Sequence, residues 1–141
     1  MSLSPAARTD PADAAAIEAS LERAGERRGD LVPLVYARLF AEQPAMRDLF
    51  WRDTDDGVKG EMLSRVFDAL LDFVGERRYA DILIRSESIT HEGYDVPADV
   101  FPTFFGIVAE AVREACGEDW TDDMSAAWRR TLADIDAYAR P

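Results

Sequence analysis

Between Val58 and Val74 apolar residues return at every third or fourth position: Val58, Met62, Leu63, Val66, Phe67, Leu70, Leu71 and Val74. That rhythm predicts an amphipathic helix of about four turns with one face turned to a core. Upstream, Ala14, Ile17, Leu21 and Ala24 mark a first helix. Asp10 stands where a cap belongs, Pro11 suits the first helical position, Asp13 suits the positive end of the dipole, and Gly25 weakens the run. Asp30 is placed to cap a second helix, with Pro33 tolerable in its first turn and Leu31, Leu34, Val35, Leu39 and Phe40 as its buried stripe. Pro44 forces a break or a new short helix, and WRDTDDG (51–57) is a polar, turn-rich connection.

The segment 79–91 is harder to read. ADILIR passes for a short strand, but no second alternating segment exists to pair with it, so a short helix ending near His91 is expected. DVPAD (95–99) reads as a turn and a fresh helix start. Phe101, Phe104, Phe105, Val108, Ala111, Val112 and Ala115 form the next buried face, which stops at Gly117. Thr121 caps a last helix with Asp122 and Asp123 in its first turn and Met124, Trp128, Leu132 and Ile135 facing inward. Trp51, Trp120 and Trp128 are expected to serve packing. With no repeat, low-complexity tract or internal linker, residues 1–141 read as one all-α domain, residues 1–10 forming a flexible N-terminal segment.

Charge narrows the partners. Lys and Arg total 16 against 28 Asp and Glu, a formal charge of −12, whereas phosphate recognition needs clustered positive charge. Nucleic acid is therefore not an expected partner, and neither is an anionic membrane. No apolar run approaches the roughly 18–20 residues of a membrane span, and the N-terminus lacks a signal-peptide core. The single Cys116 cannot form an internal disulfide. A soluble, cytoplasmic protein is expected. Glu118, Asp119, Asp122 and Asp123 resemble a metal cluster in composition alone and read as solvated helix-end charge.

One imidazole serves the whole chain. His91 opens the run HEGYDVPADVFP, with Val96 five residues on, Asp99 at plus eight, Phe101 at plus ten and Pro102 at plus eleven. A second run, VYARLFAEQPAMRDLF, sets Pro44 eight residues and Phe50 fourteen residues after Tyr36. Near the C-terminus stands the pair Ala127-Trp128. In this order the runs resemble the bacterial single-domain haemoglobins and the globin half of flavohaemoglobins, over roughly residues 14–138. The resemblance implies a globin fold, a single domain of six to eight helices around a pocket for haem b. His91 takes the place of the iron's proximal ligand, and Phe50 that of the Phe that packs on the haem. Tyr36 takes that of the distal Tyr, whose hydroxyl donates to a diatomic ligand. Lys59 and Leu63, 32 and 28 residues before His91, take the remaining distal positions. Haem itself asks for a neutral imidazole and apolar walls; Met62, Leu63, Phe67, Val96, Phe101 and Phe104 are the wall candidates beside Phe50. Lys59 shares the face of Met62, Leu63 and Val66. It therefore either looks over the iron or leans out at the rim towards solvent or a haem propionate.

Two departures from the family pattern bear on function. Phe101 stands where flavohaemoglobins have a Tyr that supports the proximal His, and the Glu of that support would fall beyond Pro141. Glu87, four residues before His91, stands where globins keep a Leu, and a carboxylate there is costly to bury unless it is paired or turned out. The leading expectation is a protein that binds oxygen or another small diatomic reversibly. A nitric oxide dioxygenase is the enzymatic alternative; with no flavin or nicotinamide region in the sequence, a separate reductase would have to re-reduce it. Glu87 alone favours a third reading, a haem-free sensor on the same fold.

Overall fold

A computed structural model describes the backbone of residues 9–50, 52–93 and 100–139, and their side chains except at 88, 92, 100–102 and 139. The described residues form helices α1 (Pro11–Arg28), α2 (Val32–Glu42), α3 (Gly57–Val74), α4 (Ala80–Gly93), α5 (Val100–Cys116) and α6 (Asp122–Ala139). Short 3-10 segments, Pro44–Phe50 and Gly117–Asp119, follow α2 and α5. The expectations placed on residues 1–8, Trp51, Val96, Asp99, Phe101, Pro102 and the DVPAD turn lie outside the described residues or side chains.

Helix ends follow local chemistry. Asp10 accepts the Ala12 N–H at 2.8 Å, Asp30 accepts the Val32 N–H at 2.9 Å, and the Thr121 hydroxyl accepts the Met124 N–H at 3.1 Å. Pro44 opens a 3-10 turn because a proline cannot continue α2. Residues 80–93 are a full α-helix and longer than the short helix expected, so the ADILIR strand reading falls away. Gly117, at φ +55°, ends α5 in a conformation that L side chains rarely adopt.

The core lies where α1 packs on α5 and α6, α2 on α5, and α4 on α3 and α6. Ile17, Val35, Leu70, Phe73, Ile84, Val108, Val112 and Ile135 are all fully buried in it. The stripe on α3 is narrower than the spacing suggests. Val58 and Leu71 are 54% and 42% exposed, because each sits at the margin of the apolar arc that α3 turns towards its neighbours. Two polar contacts tie the first helix to the last. Trp128 donates its indole N–H to the buried Ser20 hydroxyl at 2.9 Å, which in turn donates to the Ile17 carbonyl at 2.7 Å. Asp13, expected only to complement the dipole, instead takes a two-pronged ion pair from Arg130 at 2.6 and 2.7 Å.

Asp72, near the end of α3, controls where α4 begins. Its carboxylate accepts the N–H groups of Arg78, Tyr79 and Ala80 at 3.0, 2.9 and 2.8 Å, so α4 is capped from another helix. Burial alone would raise the Asp72 pKa, but these hydrogen bonds and the Arg78 charge outweigh it and hold the group below its ordinary value. A carboxylate depressed on folding contributes stability that is present above its unfolded pKa, about 3.9, and lost as pH falls through the lower folded value. Asp72→Asn should therefore melt below wild type at neutral pH, by about 1–2 kcal/mol for a lost cap. That gap should stay constant down to about pH 5 and shrink towards pH 3. Thermal melts of both proteins across that range check it; a gap that widens on acidification contradicts the cap.

Candidate functional site

Helices α2, α3, α4 and α5 leave between them one apolar cleft, into which the 3-10 segment after α2 also turns side chains. Its cavity volume is about 170 Å³, and the empty space counted with open solvent at its mouth is about 970 Å³. Common cofactor pockets run to roughly 300–1,000 Å³, so a ligand of that size would occupy the mouth as well as the cavity. The α3 face that enters the cleft is Met62, Arg65, Val66 and Ala69; the α4 face is Leu83, Ile84, Glu87 and His91. Both sets follow helical spacing, which brings one line of each helix onto the same space. Phe50, Phe104 and Phe105 supply aromatic wall, and Met46 and Leu49 close the side beside α2.

His91 is fixed through one nitrogen. Side chains on a helix lean back towards its N-terminus, and the His91 ring meets the backbone of the preceding turn: Nδ1 donates to the Glu87 carbonyl at 2.8 Å. Because a carbonyl can only accept, Nδ1 carries the proton, and in the neutral ring that leaves the lone pair on Nε2, the tautomer in which an imidazole binds a metal. The Glu87 carboxylate also approaches, with Oε2 3.6 Å from Nδ1. Glu87 is neither deeply buried nor turned away: its side chain is 36% exposed, which removes much of the burial cost expected for it.

Tyr36 enters the same cleft from α2. It is 3% exposed, and its ring packs among Phe40, Phe50 and Phe104 at centroid distances of 6.0, 5.5 and 5.8 Å. Among the described residues its hydroxyl has no hydrogen-bond partner. A buried hydroxyl left without a partner costs roughly 1–3 kcal/mol, and such groups in native proteins commonly mark a place for water, an ion or a ligand. Burial, and then the charge of Asp53, pushes the Tyr36 pKa above its ordinary value, so the group stays a neutral donor.

Of the residues expected from sequence, Tyr36, Phe50, Met62, Phe104 and His91 line the cleft together. Leu63, Phe67 and Lys59 are not among its lining residues. Leu63 is 2% exposed within the core, and Phe67 is partly buried against it, because both fall on the α3 line beside the one that enters the cleft. The Lys59 ammonium turns to the carboxylates that precede α3. It is 12% exposed and binds Asp53 and Asp56, each at 3.0 Å, with the Phe50 ring centre 5.4 Å away. Asp53 also accepts the Val58 and Lys59 N–H groups at 3.0 Å and so caps α3. Burial lowers the Lys59 pKa, but hydrogen bonds to Asp53 and Asp56 and their charges outweigh it, so the net shift is upward. Arg65, Ile84 and Glu87 went unassigned as lining residues in the sequence, although the spacings 62–65–66–69 and 84–87–91 carry the signal.

A helical fold with an apolar cleft, a tautomerically fixed imidazole and a buried donor is a protein built to hold a cofactor or small ligand between helices. The chain belongs to the globin family, whose model (Globin) matches residues 34–138, from within α2 almost to the end of α6. Its fold is the all-α globin fold, and membership implies haem binding and, with it, oxygen binding. Comparison with curated proteins and with solved structures gives no match. Among the described residues, no helix is long and apolar enough to cross a membrane.

Proposed function

We propose that the protein binds one haem b through His91 and takes up oxygen or another small diatomic molecule reversibly, in the manner of the bacterial single-domain haemoglobins that it resembles. The observation that carries this reading is the His91 hydrogen bond to its own helix, which sets the imidazole tautomer inside an apolar cleft. The residues present fit the group: apolar walls for the porphyrin face, an imidazole for the iron, and on Tyr36 a hydroxyl without a partner among the described residues. When bound, haem supplies an iron at which diatomic ligands bind. Phe50, Met62, Val66 and Phe104 would pack against the ring and keep water out. Arg65, whose guanidinium pairs with Glu61 at 3.2 Å, lines the same cleft and would offer its remaining donors to the carboxylates of haem. Tyr36 would hold a polarised ligand by donating its proton without giving it up.

Lys59 stays outside this chemistry as an ammonium, because ligation needs the neutral amine that Asp53 and Asp56 oppose. Ferric spectra of wild type and Lys59→Met should therefore coincide from neutral to alkaline pH. A low-spin form present in wild type and lost in the variant would contradict this.

Nitric oxide dioxygenase activity is the enzymatic alternative, served by a separate reductase. The test is nitrate formed per haem during prolonged exposure to nitric oxide and oxygen with a generic reductant. A binding protein yields nitrate only in proportion to the haem present. Many turnovers per haem would replace the binding reading with the enzymatic one.

A further inference from the structure

We propose that the Glu87 side chain is a positioning residue for the proximal imidazole, a charge built into the same helix turn that raises the electron-donating power of His91. The inference rests on His91 as the haem ligand. On a helix, residues four apart are neighbours, and α4 brings two oxygens of one residue to the His91 Nδ1: the Glu87 carbonyl at 2.8 Å and the carboxylate Oε2 at 3.6 Å. The first is a hydrogen bond; the second lies beyond hydrogen-bond range and acts as a nearby negative charge. An Nδ1–H drawn towards a carbonyl and a carboxylate leaves more electron density on Nε2, and acceptors on the far side of a ligating imidazole raise its basicity and tune the metal. Phe101, at the position of the supporting Tyr in flavohaemoglobins, has no hydroxyl to offer. Glu87 supplies a carboxylate from within α4 instead.

Nearby cations limit the effect without cancelling it. Arg65 lines the same cleft, but its guanidinium pairs with Glu61 at 3.2 Å, and Arg85 lies over the Tyr138 ring at 5.5 Å. The side chains of His91 and Glu87 are 26% and 36% exposed, so solvent screens the charge in part. A moderate effect follows: about a tenfold shift in the ferric–ferrous equilibrium, equivalent to 59 mV for one electron.

Haem-loaded wild type, Glu87→Gln and Glu87→Leu provide the test, through two readouts other than ligand binding: the reduction potential, and the iron–imidazole stretching band of the ferrous protein. Both variants should favour the ferrous form by about tenfold and show the band at lower frequency than wild type. Wild-type values in both variants would overturn the proposal. So would a change confined to Glu87→Leu, which would mark bulk or hydrogen bonding in place of charge. Absence of any iron–imidazole band from haem-loaded wild type would overturn the His91 assignment itself, and with it the role of Glu87. The two failures are thus distinguishable.

Discussion

His91→Ala should abolish stable haem binding and leave the helices in place. The chain has one histidine, so no second imidazole can take over the position. The side chain is 26% exposed, so truncating it opens little of the core. Loss of an outer partner of a metal ligand costs 10–100-fold in affinity; loss of the ligand itself should cost more, at least about a hundredfold. Circular dichroism and haem titration of the variant read the two halves separately. Unchanged far-ultraviolet signal with lost affinity is the expected pair. Wild-type affinity and an unchanged ferrous CO spectrum would place the ligand elsewhere.

Tyr36→Phe should have opposite effects on the loaded and empty protein. In the loaded protein it removes a donor to a polarised ligand in a dry cleft. At about 1.5–3 kcal/mol for a hydrogen bond to a charged acceptor, oxygen should leave about 10- to 150-fold faster. Carbon monoxide accepts less charge and should respond less. In the empty protein the same hydroxyl is a buried group without a partner among the described residues, so its removal should leave stability unchanged or raise it by up to about 1–3 kcal/mol. Flash photolysis of the oxygen and CO forms and denaturant melts of the apoprotein measure the two effects. Equal acceleration for both gases would mean that Tyr36 acts through bulk. A destabilised apoprotein would mean that its hydroxyl already has a partner.

Elements set by near neighbours in the chain could be read from the sequence; those set across the fold could not. The stripe Met62–Val66–Leu70 and the caps Asp10, Asp30 and Thr121 depend on spacings of four residues or fewer, and the structure reproduces them. Asp72 gave no such signal, because the N–H groups that it caps lie six to eight residues on, beyond the end of its own helix. The Asp13–Arg130 pair joins residues 117 apart and could not be read locally at all. Helical spacing placed Lys59 on the face of Met62, but the long side chain answers to the carboxylates of the preceding turn as well as to helix phase. Glu87 read as an obstacle to a cofactor because sequence gives its offset from His91 but not the rotamer that brings both of its acceptors to one nitrogen. Within the cleft, Tyr36, Phe50, Met62, Phe104 and His91 were legible from motif and phase together.

Whether this cleft holds haem through His91 is read from titration of the apoprotein with haem, followed by the optical spectrum of the ferrous CO complex. Saturation at one haem per chain is expected, with an intense band of the kind given by an imidazole-ligated ferrous CO haem, and loss of both in His91→Ala. A wild-type protein that stays colourless under saturating haem, or one whose CO spectrum is the same with and without His91, would contradict it.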